Sequence, residues 1–249
     1  ATTEIYTLSL HDALPISKTK VRNMFDSIAG DYDALNHILS LDVDKIWRKK
    51  ALKQIVDAPA PVQVLDLACG TGDFSIAIAK ALSSATGSHV TGVDLSEGML
   101  AVMREKVAKA DLTEMISIEE GDGENLRFPD NTFDRVTIAF GIRNFENREK
   151  GLREMLRVLK PGGRLVILEL SRPENKVIRW FYDLYFLHIL PKIGGKVSGD
   201  KAAYAYLPAS VAAFPGKKAF MATMREAGFR TVTHKAFTLG ICRMYTGEK

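Results

Sequence analysis

Short apolar runs alternate with amphipathic stretches along most of the chain. From residue 62 onward, five runs have the length and apolar content of buried strands: "VQVLDL", "HVTGVDL", "MISIEEGD", "FDRVTIAF" and "RLVILEL". Between them, three longer stretches carry apolar residues at helical spacing: "DFSIAIAKAL", "SEGMLAVMREKVAKA" and "NREKGLREMLRVLK". Strands that alternate with helices predict an α/β fold, in which a mostly parallel sheet has helices on both faces and right-handed crossovers.

Local signals predict where several of these elements begin and end. Ser96 is placed to cap a helix with one apolar face, formed by Met99, Leu100, Met103 and Val107. The helix in "NREKGLREMLRVLK" is expected to stop at residues 161–163, where the sequence is "PGG". The final stretch, "FRTVTHKAFTLGICRMYTG", predicts two strands in a hairpin around residues 238–240.

Three segments lie outside this core pattern, and one domain over residues 18–249 is expected to include two of them. Residues 21–56 are amphipathic and predict a helical cap, and residues 174–216 are rich in aromatics and predict a helical insertion on the substrate side. Residues 1–17 have no cationic start or apolar block, so a signal peptide is not predicted. Their string "YTLSLHDALPIS" resembles translated sequencing-adapter DNA, and we predict a disordered or non-native leader.

Composition narrows the class of protein. The 249 residues are 46% hydrophobic and 26% charged, which is ordinary for a globular chain, and the net charge of +4 does not favour nucleic acid as a partner. No apolar run reaches about 18 residues, the length that predicts a membrane-spanning helix. Two cysteines form no disulfide framework or metal motif, so a cytoplasmic location without a metal is expected.

A glycine loop follows the first strand in "VLDLACGTGD". A dinucleotide-binding loop would place a third glycine after Gly70 and Gly72, and this loop lacks it. Asp66 and Asp73 also bracket the loop with negative charge, which would repel a pyrophosphate. An ammonium or sulfonium group would instead be attracted. The loop therefore predicts S-adenosylmethionine, which carries both cations and no phosphate.

Two further acids follow the next strands. Asp94 closes the second strand, where its carboxylate can accept hydrogen bonds from both ribose hydroxyls. Asp122 is expected to close the third strand and to accept from the adenine amino group. Because the carboxyl ends of parallel strands meet at one edge of a sheet, these acids and the loop are expected to form one constellation.

Four stretches carry a resemblance to a known family: "MFDSIAGDYDALNHILSLDVDKIWRK", "LDLACGTGD", "FPDNTFDRVTIAFGIRNFENREKGLREMLRVLKPGG" and "AYAYLPASVAAFP". They resemble the quinone-biosynthesis C-methyltransferases, which are class I S-adenosylmethionine-dependent enzymes with a Rossmann-like sheet of seven strands and a final antiparallel hairpin. The resemblance implies cofactor contacts at Thr71, Asp94, the Asp122–Gly123 pair and Ala139. Some family members have serine at this last position, so only a backbone contact is inherited here.

Carbon methylation of a quinol needs an electron-rich ring carbon, which loss of the phenolic proton supplies. Arg143 in "FGIRN" follows the fourth strand and is expected to stabilise the phenolate, although a surface arginine paired with an acid is the alternative. Asn144 could orient the same oxygen. The choice of proton acceptor stays open among the polar residues of the cap, which are Tyr32, Asp33, Asn36 and His37.

The stretch "VIRWFYDLYFLHILPKIGG" predicts an apolar channel for a polyprenyl tail, with Tyr182 and Phe186 as substrate contacts. A helix that buries one apolar side on the core is the alternative. Cationic residues flank the stretch and could contact lipid headgroups: Lys176, Arg179, Lys192 and Lys196. Peripheral contact at the inner face of the membrane is therefore expected, and a homodimer stays open.

We therefore predict S-adenosylmethionine-dependent C-methylation of a polyprenylated quinol in menaquinone or ubiquinone biosynthesis, with demethylmenaquinol as the favoured substrate. The alternatives are a methyltransferase for another small phenolic or lipid molecule, and a non-catalytic subunit that only binds the cofactor. Naphthoquinol and benzoquinol rings are not distinguished by the sequence.

Overall fold

The computed structural model describes residues 17–30, 32–33, 40, 42–58, 60–185 and 201–249, apart from the side chains of residues 201–205. Within these residues one sheet contains seven strands. They are β1 Gln63–Leu67, β2 His89–Asp94, β3 Ile116–Glu120, β4 Phe133–Ala139, β5 Leu159–Leu170, β6 Arg230–Phe237 and β7 Cys242–Glu248.

The order of the strands across the sheet is β3-β2-β1-β4-β5-β7-β6. Strands β1 to β5 pair in parallel, whereas β7 runs antiparallel to both β5 and β6. The predicted parallel sheet with a final antiparallel hairpin is confirmed. Strand order reverses between β1 and β4, and ligands of such sheets bind at the carboxyl ends of the strands beside this reversal.

Eight α-helices of the described residues surround the sheet. They are α1 Lys18–Ile28, α2 Val43–Leu52, α3 Asp73–Leu82, α4 Glu97–Lys109, α5 Arg148–Val158, α6 Lys176–Leu184, α7 Lys201–Ala213 and α8 Lys217–Glu226. Ser17 caps α1, because its side-chain oxygen accepts a hydrogen bond from Lys20 N at 3.4 Å. That residue, assigned to the leader from sequence, therefore belongs to the first helix cap, and residues 1–16 lie outside the described residues.

Helix α4 forms as its sequence predicts. The Ser96 hydroxyl accepts a hydrogen bond from Met99 N at 3.1 Å, the cap geometry that stabilises a helix by about 1 kcal/mol. Met99, Leu100, Met103 and Val107 are all buried. The predicted apolar face is therefore confirmed.

Alternate residues of the central strands face opposite sides of the sheet and build two hydrophobic cores. In β5, Leu165 and Ile167 pack on one side with the helices α5 and α8, whereas Val166 and Leu168 pack on the other with α3 and α4. Both faces of the central strands are thus buried, which explains why their sequences are continuous apolar runs.

The end of α5 differs from the prediction, which placed the stop at residues 161–163. The helix ends at Val158, because Leu159 takes an extended backbone and pairs with Phe133 of β4. Regular pairing resumes only after a register shift. A Cβ at Gly163 would lie 2.8 Å from the Lys160 carbonyl oxygen, so this irregular segment needs its glycine. Pro161 also keeps the helix from continuing, since it disfavours a helical conformation in the residue before it.

Candidate functional site

The loop between β1 and α3 carries two glycines in a backbone conformation that other residues rarely adopt. Gly70 and Gly72 have φ angles of +56° and +83°, in the left-handed region. A Cβ at Gly72 would lie 2.4 Å from Cγ of Met103, so the loop packs directly on α4. Gly70 N donates a hydrogen bond to Asp94 Oδ2 at 2.8 Å. The loop and the acid of the second strand are therefore neighbours, as the sequence predicted.

Asp94 is oriented by the backbone around it. Its Oδ2 accepts from Gly70 N, and its Oδ1 accepts from Ser96 N at 2.9 Å. Burial raises the pKa of Asp94 above its ordinary value, although these backbone hydrogen bonds oppose the shift. A carboxylate has about four acceptor positions, so the group can still accept bonds from two hydroxyls. This geometry fits the ribose of a nucleoside.

A cleft opens beside this acid at the carboxyl ends of β1, β2 and β4. It spans about 760 Å³, part of which is open to solvent. The predicted residues that line it are Tyr32, Gly70, Asp94, Asp122, Gly123, Ala139 and Asn144. The described predictions that do not line it are Asp33, Asp66, Thr71, Gly72, Arg143 and Tyr182.

Helix α1 covers the Asp122 end of the cleft. Lys18 Nζ lies 2.7 Å from Asp122 Oδ2 and 3.0 Å from Glu124 Oε2. Burial alone would raise the pKa of Asp122, but the hydrogen bonds that it accepts, first among them that from Lys18, lower it below its ordinary value. Asp122 does not close β3 as predicted, because this strand ends at Glu120. Lys18, which directly follows the predicted leader, was not selected from the sequence.

Asp66 lies under the glycine loop rather than in the wall of the cleft. It is 1% exposed, and its Oδ2 accepts a hydrogen bond from the Ser75 hydroxyl at 2.5 Å. Burial raises the pKa of this carboxyl to about 7, in spite of the Ser75 bond. The Asp66 side chain therefore connects the base of the loop to Ser75 of α3. Its predicted contact with the cofactor stays a prediction.

Asp33 connects the amino-terminal cap to the glycine loop. It accepts a hydrogen bond from the Thr71 hydroxyl and lies 2.6 Å from Lys106 Nζ. Lys106 also contacts Asp73 at the start of α3. These contacts occupy the Asp33 carboxylate and the Thr71 hydroxyl, so the roles predicted for them at the ring and the cofactor stay predictions.

Arg143 is held in a buried ion pair. It belongs to a 3-10 turn, Ile142–Asn144, and both its backbone N and its Nη1 donate to the fully buried Glu169, at 3.1 Å and 2.9 Å. Its Nε donates to Ser210 Oγ at 3.3 Å. Burial alone would lower the pKa of Arg143, but the groups around it, first among them Glu169, together raise it. The expected contact of Arg143 with a phenolate stays a prediction. Its partner in the ion pair, Glu169, was not selected from the sequence.

Asn144 faces the cleft from the same turn. Its Oδ1 accepts a hydrogen bond from the Tyr206 hydroxyl at 2.8 Å. Tyr206 was not selected from the sequence, although it lies in the quoted stretch "AYAYLPASVAAFP". For Glu169 a signal did exist: it is a single acid inside the apolar strand "RLVILEL".

Helix α6 presents an apolar surface to solvent. Its Val177, Trp180, Phe181 and Leu184 are 66%, 61%, 60% and 41% exposed, and their spacing places them on one face. Tyr182 is 8% exposed and packs inward. The helix therefore has a buried side, as the alternative interpretation expected, and also an exposed apolar side that none of the described residues covers.

Some predictions fall outside the described residues. These are Asn36, His37, Phe186, Lys192 and Lys196. In the part of the chain that the structure describes, no group of three or more His, Cys, Asp or Glu side chains could hold a metal ion.

The sheet order, the glycine loop at the strand reversal and the carboxylate placed for a ribose together define a class I S-adenosylmethionine-dependent methyltransferase. Within this class the chain belongs to the ubiE/COQ5 methyltransferase family, whose model matches residues 14–249. It is therefore an S-adenosylmethionine-dependent C-methyltransferase.

Relatives and a solved structure agree with this assignment. The chain is 49% identical over 230 residues to the ubiquinone/menaquinone biosynthesis C-methyltransferase UbiE of Geobacter sulfurreducens, over 92% of this chain and 88% of that relative. It is 45% identical over 230 residues to a demethylmenaquinone methyltransferase of Bacteroides fragilis, over 92% of each. An S-adenosylmethionine-dependent methyltransferase structure from Aquifex aeolicus shares the fold, with a TM-score of 0.58, 20% identity, and coverage of 80% of this chain and 88% of that one.

Proposed function

We propose that this enzyme methylates a ring carbon of a polyprenylated quinol, and that demethylmenaquinol is its favoured substrate. The names of the relatives from Geobacter and Bacteroides support a quinone substrate. The observation that carries the proposal is the uncovered apolar face of α6, which follows β5 at the same edge of the sheet as the cleft. A small soluble phenol would not need such a surface, whereas a prenyl tail would.

The cofactor side of the cleft fits S-adenosylmethionine. Asp94 would accept from the ribose hydroxyls, the backbone near Gly70 would approach the methionine part, and Asp122 would face the adenine. Bound S-adenosylmethionine supplies an electrophilic methyl group. The chain itself holds this ligand with carboxylates that are already oriented by backbone N–H groups, which lowers the cost of ordering them on binding.

On the substrate side, Asn144 is the polar side chain of the turn that reaches the cleft. Its amide is placed to donate to a ring oxygen and so to stabilise the negative charge that forms there. Arg143 lies directly before it and is held by Glu169. In this proposal the guanidinium adds positive potential near the phenolate and is not a base, because its pKa is raised.

The membrane is the proposed source of the substrate. The exposed face of α6 has the spacing of an interfacial helix, and Lys176 and Arg179 lie on the same helix. No helix of the described residues is long and apolar enough to cross a membrane, so the proposed contact is peripheral. Helix α6 and residues beyond it would receive the tail, and the homodimer stays a prediction that the proposal does not need.

The product of turnover tests the proposal. The enzyme is incubated with methyl-labelled S-adenosylmethionine and with demethylmenaquinol, a demethylated benzoquinol or a tailless quinol, and the products are measured by mass spectrometry. The proposal expects label on a ring carbon of the tailed naphthoquinol, at a rate above that for the other two. Equal labelling of the tailless ring would favour a small phenolic substrate, and cofactor binding without any turnover would favour a non-catalytic subunit.

A further inference from the structure

Helix α7 places two polar side chains on consecutive residues of the turn Ile142–Asn144. Tyr206 and Ser210 are four positions apart, which puts them on one face of the helix. The Ser210 hydroxyl accepts from Arg143 Nε at 3.3 Å, and the Tyr206 hydroxyl donates to Asn144 Oδ1 at 2.8 Å. One helix therefore fixes both side chains of the turn.

The bond from Tyr206 determines how the Asn144 amide is oriented. A tyrosine hydroxyl that donates needs the amide oxygen as its acceptor, so the amide nitrogen is on the other side. No described residue accepts a hydrogen bond from this Nδ2, while Asn144 itself lines the cleft. Tyr206 is 8% exposed, and burial raises the pKa of its hydroxyl, which therefore keeps the proton that it donates.

We propose that Tyr206 is a positioning residue, which holds the Asn144 amide so that Nδ2 donates to an oxygen of the substrate ring. This inference rests on the proposed function. An amide without this anchor could turn by about 180° and present its oxygen, which carries a partial negative charge, to the phenolate, and the two oxygens would repel each other. The bond from Tyr206 removes that alternative before the substrate arrives, so the site does not have to reorganise during the reaction.

A double-mutant cycle tests whether Tyr206 acts through Asn144. We expect Tyr206→Phe to lower kcat about tenfold, the effect of one hydrogen bond, with little change in cofactor affinity. Asn144→Ala should lower kcat further, and adding Tyr206→Phe to it should then have no additional effect. Asn144→Asp, which keeps the acceptor but loses Nδ2 and adds a negative charge beside the phenolate, should be at least as impaired as Asn144→Ala. Independent, multiplying losses would overturn the proposal.

The matched control is Tyr245→Phe. Its hydroxyl is buried and has no hydrogen-bond partner among the described residues, and the residue lies on β7, which pairs with β5. Removing it should leave kcat unchanged, since no bond is lost. Circular dichroism of each variant separates a folding defect from a loss of positioning.

A measurement without turnover keeps this test separate from the proposed function. In asparagine-labelled enzyme, the side-chain amide signal of Asn144 is identified by its disappearance in Asn144→Ala. The proposal expects a resolved signal in the wild type, away from the position of a free amide because Oδ1 is hydrogen-bonded, and a shift toward the free-amide position in Tyr206→Phe. An unchanged Asn144 signal in Tyr206→Phe would overturn the inference, whatever the substrate is. The expected shift without turnover of the quinol would contradict only the proposed function.

Discussion

The cofactor side and the substrate side of the cleft are built in different ways. On the cofactor side, Asp94 is held by the backbone N–H groups of Gly70 and Ser96, which belong to the ends of neighbouring strands. On the substrate side, the turn is held by side chains from distant parts of the chain, Glu169 and Tyr206. The position of Asp94 follows from strand placement, while the Asp122 end of the cofactor side, which Lys18 reaches from α1, and the whole substrate side depend on how separate elements pack together.

The largest expected effect comes from breaking the buried pair of the substrate side. Glu169→Ala leaves Arg143 charged and uncompensated in a fully buried place, which should lower the free energy of unfolding by about 3–5 kcal/mol. Urea denaturation measures this loss. The matched control is Glu149→Ala, which breaks an exposed pair with Arg153 and should cost less than about 1 kcal/mol. Equal losses in the two variants would mean that the buried pair is not special.

The next effect concerns the buried acid of the cofactor side. Because the pKa of Asp66 is raised to about 7 in the folded chain, from 3.8, the folded state binds a proton that the unfolded state has released. This group therefore makes the chain less stable as the pH rises from about 4 to about 7. Asp66→Asn should remove that slope and raise the free energy of unfolding at pH 8 by about 1–3 kcal/mol.

Urea midpoints at pH 5 and pH 8 test the Asp66 prediction. Asp111→Asn, a change at an exposed acid outside the cleft, is the control and should keep the slope of the wild type. A slope that persists in Asp66→Asn would show that this carboxyl does not carry the proton.

The smallest expected effect lies on the outer surface of the substrate side. Trp180→Asp should weaken sedimentation with anionic vesicles about tenfold, since an inserted tryptophan gains roughly 1.5–3 kcal/mol by burial. Its circular dichroism should not change, because the side chain is 61% exposed. Ile46→Asp is the matched control, as it places the same charge on a residue of α2 that is 54% exposed. Equal losses of vesicle sedimentation in both variants would contradict a specific role of the α6 surface in membrane contact.

Much of the fold could be predicted from the sequence, because the period of the apolar residues decides whether a segment is a helix or a strand. The Ser96 cap and the final hairpin depend on neighbours only a few residues away, and both are confirmed. The predicted end of α5 was wrong, because it is set by the long-range pairing of Leu159 with Phe133, which a local stop signal does not indicate.

The same distinction applies to the site. The position of Asp94 could be predicted because this residue closes a strand, and that does not depend on how distant elements pack. Arg143 follows β4, as the sequence indicated, but the direction of its side chain depends on Glu169 and on Ser210, 67 positions away. Lys18 reaches Asp122 across 104 positions. No local pattern reports such pairs.

Two variants measured side by side test most directly whether the two sides have separate duties. Cofactor affinity is measured by calorimetry, and kcat is measured with demethylmenaquinol at saturating cofactor. We expect Asp94→Ala to weaken the binding of S-adenosylmethionine tenfold or more, through the loss of charge-assisted bonds worth about 1.5–3 kcal/mol each. Asn144→Ala should lower kcat about a hundredfold and leave cofactor affinity within about twofold. If Asn144→Ala weakens cofactor binding as much as Asp94→Ala does, or if folded Asp94→Ala binds normally, the division into two sides is wrong.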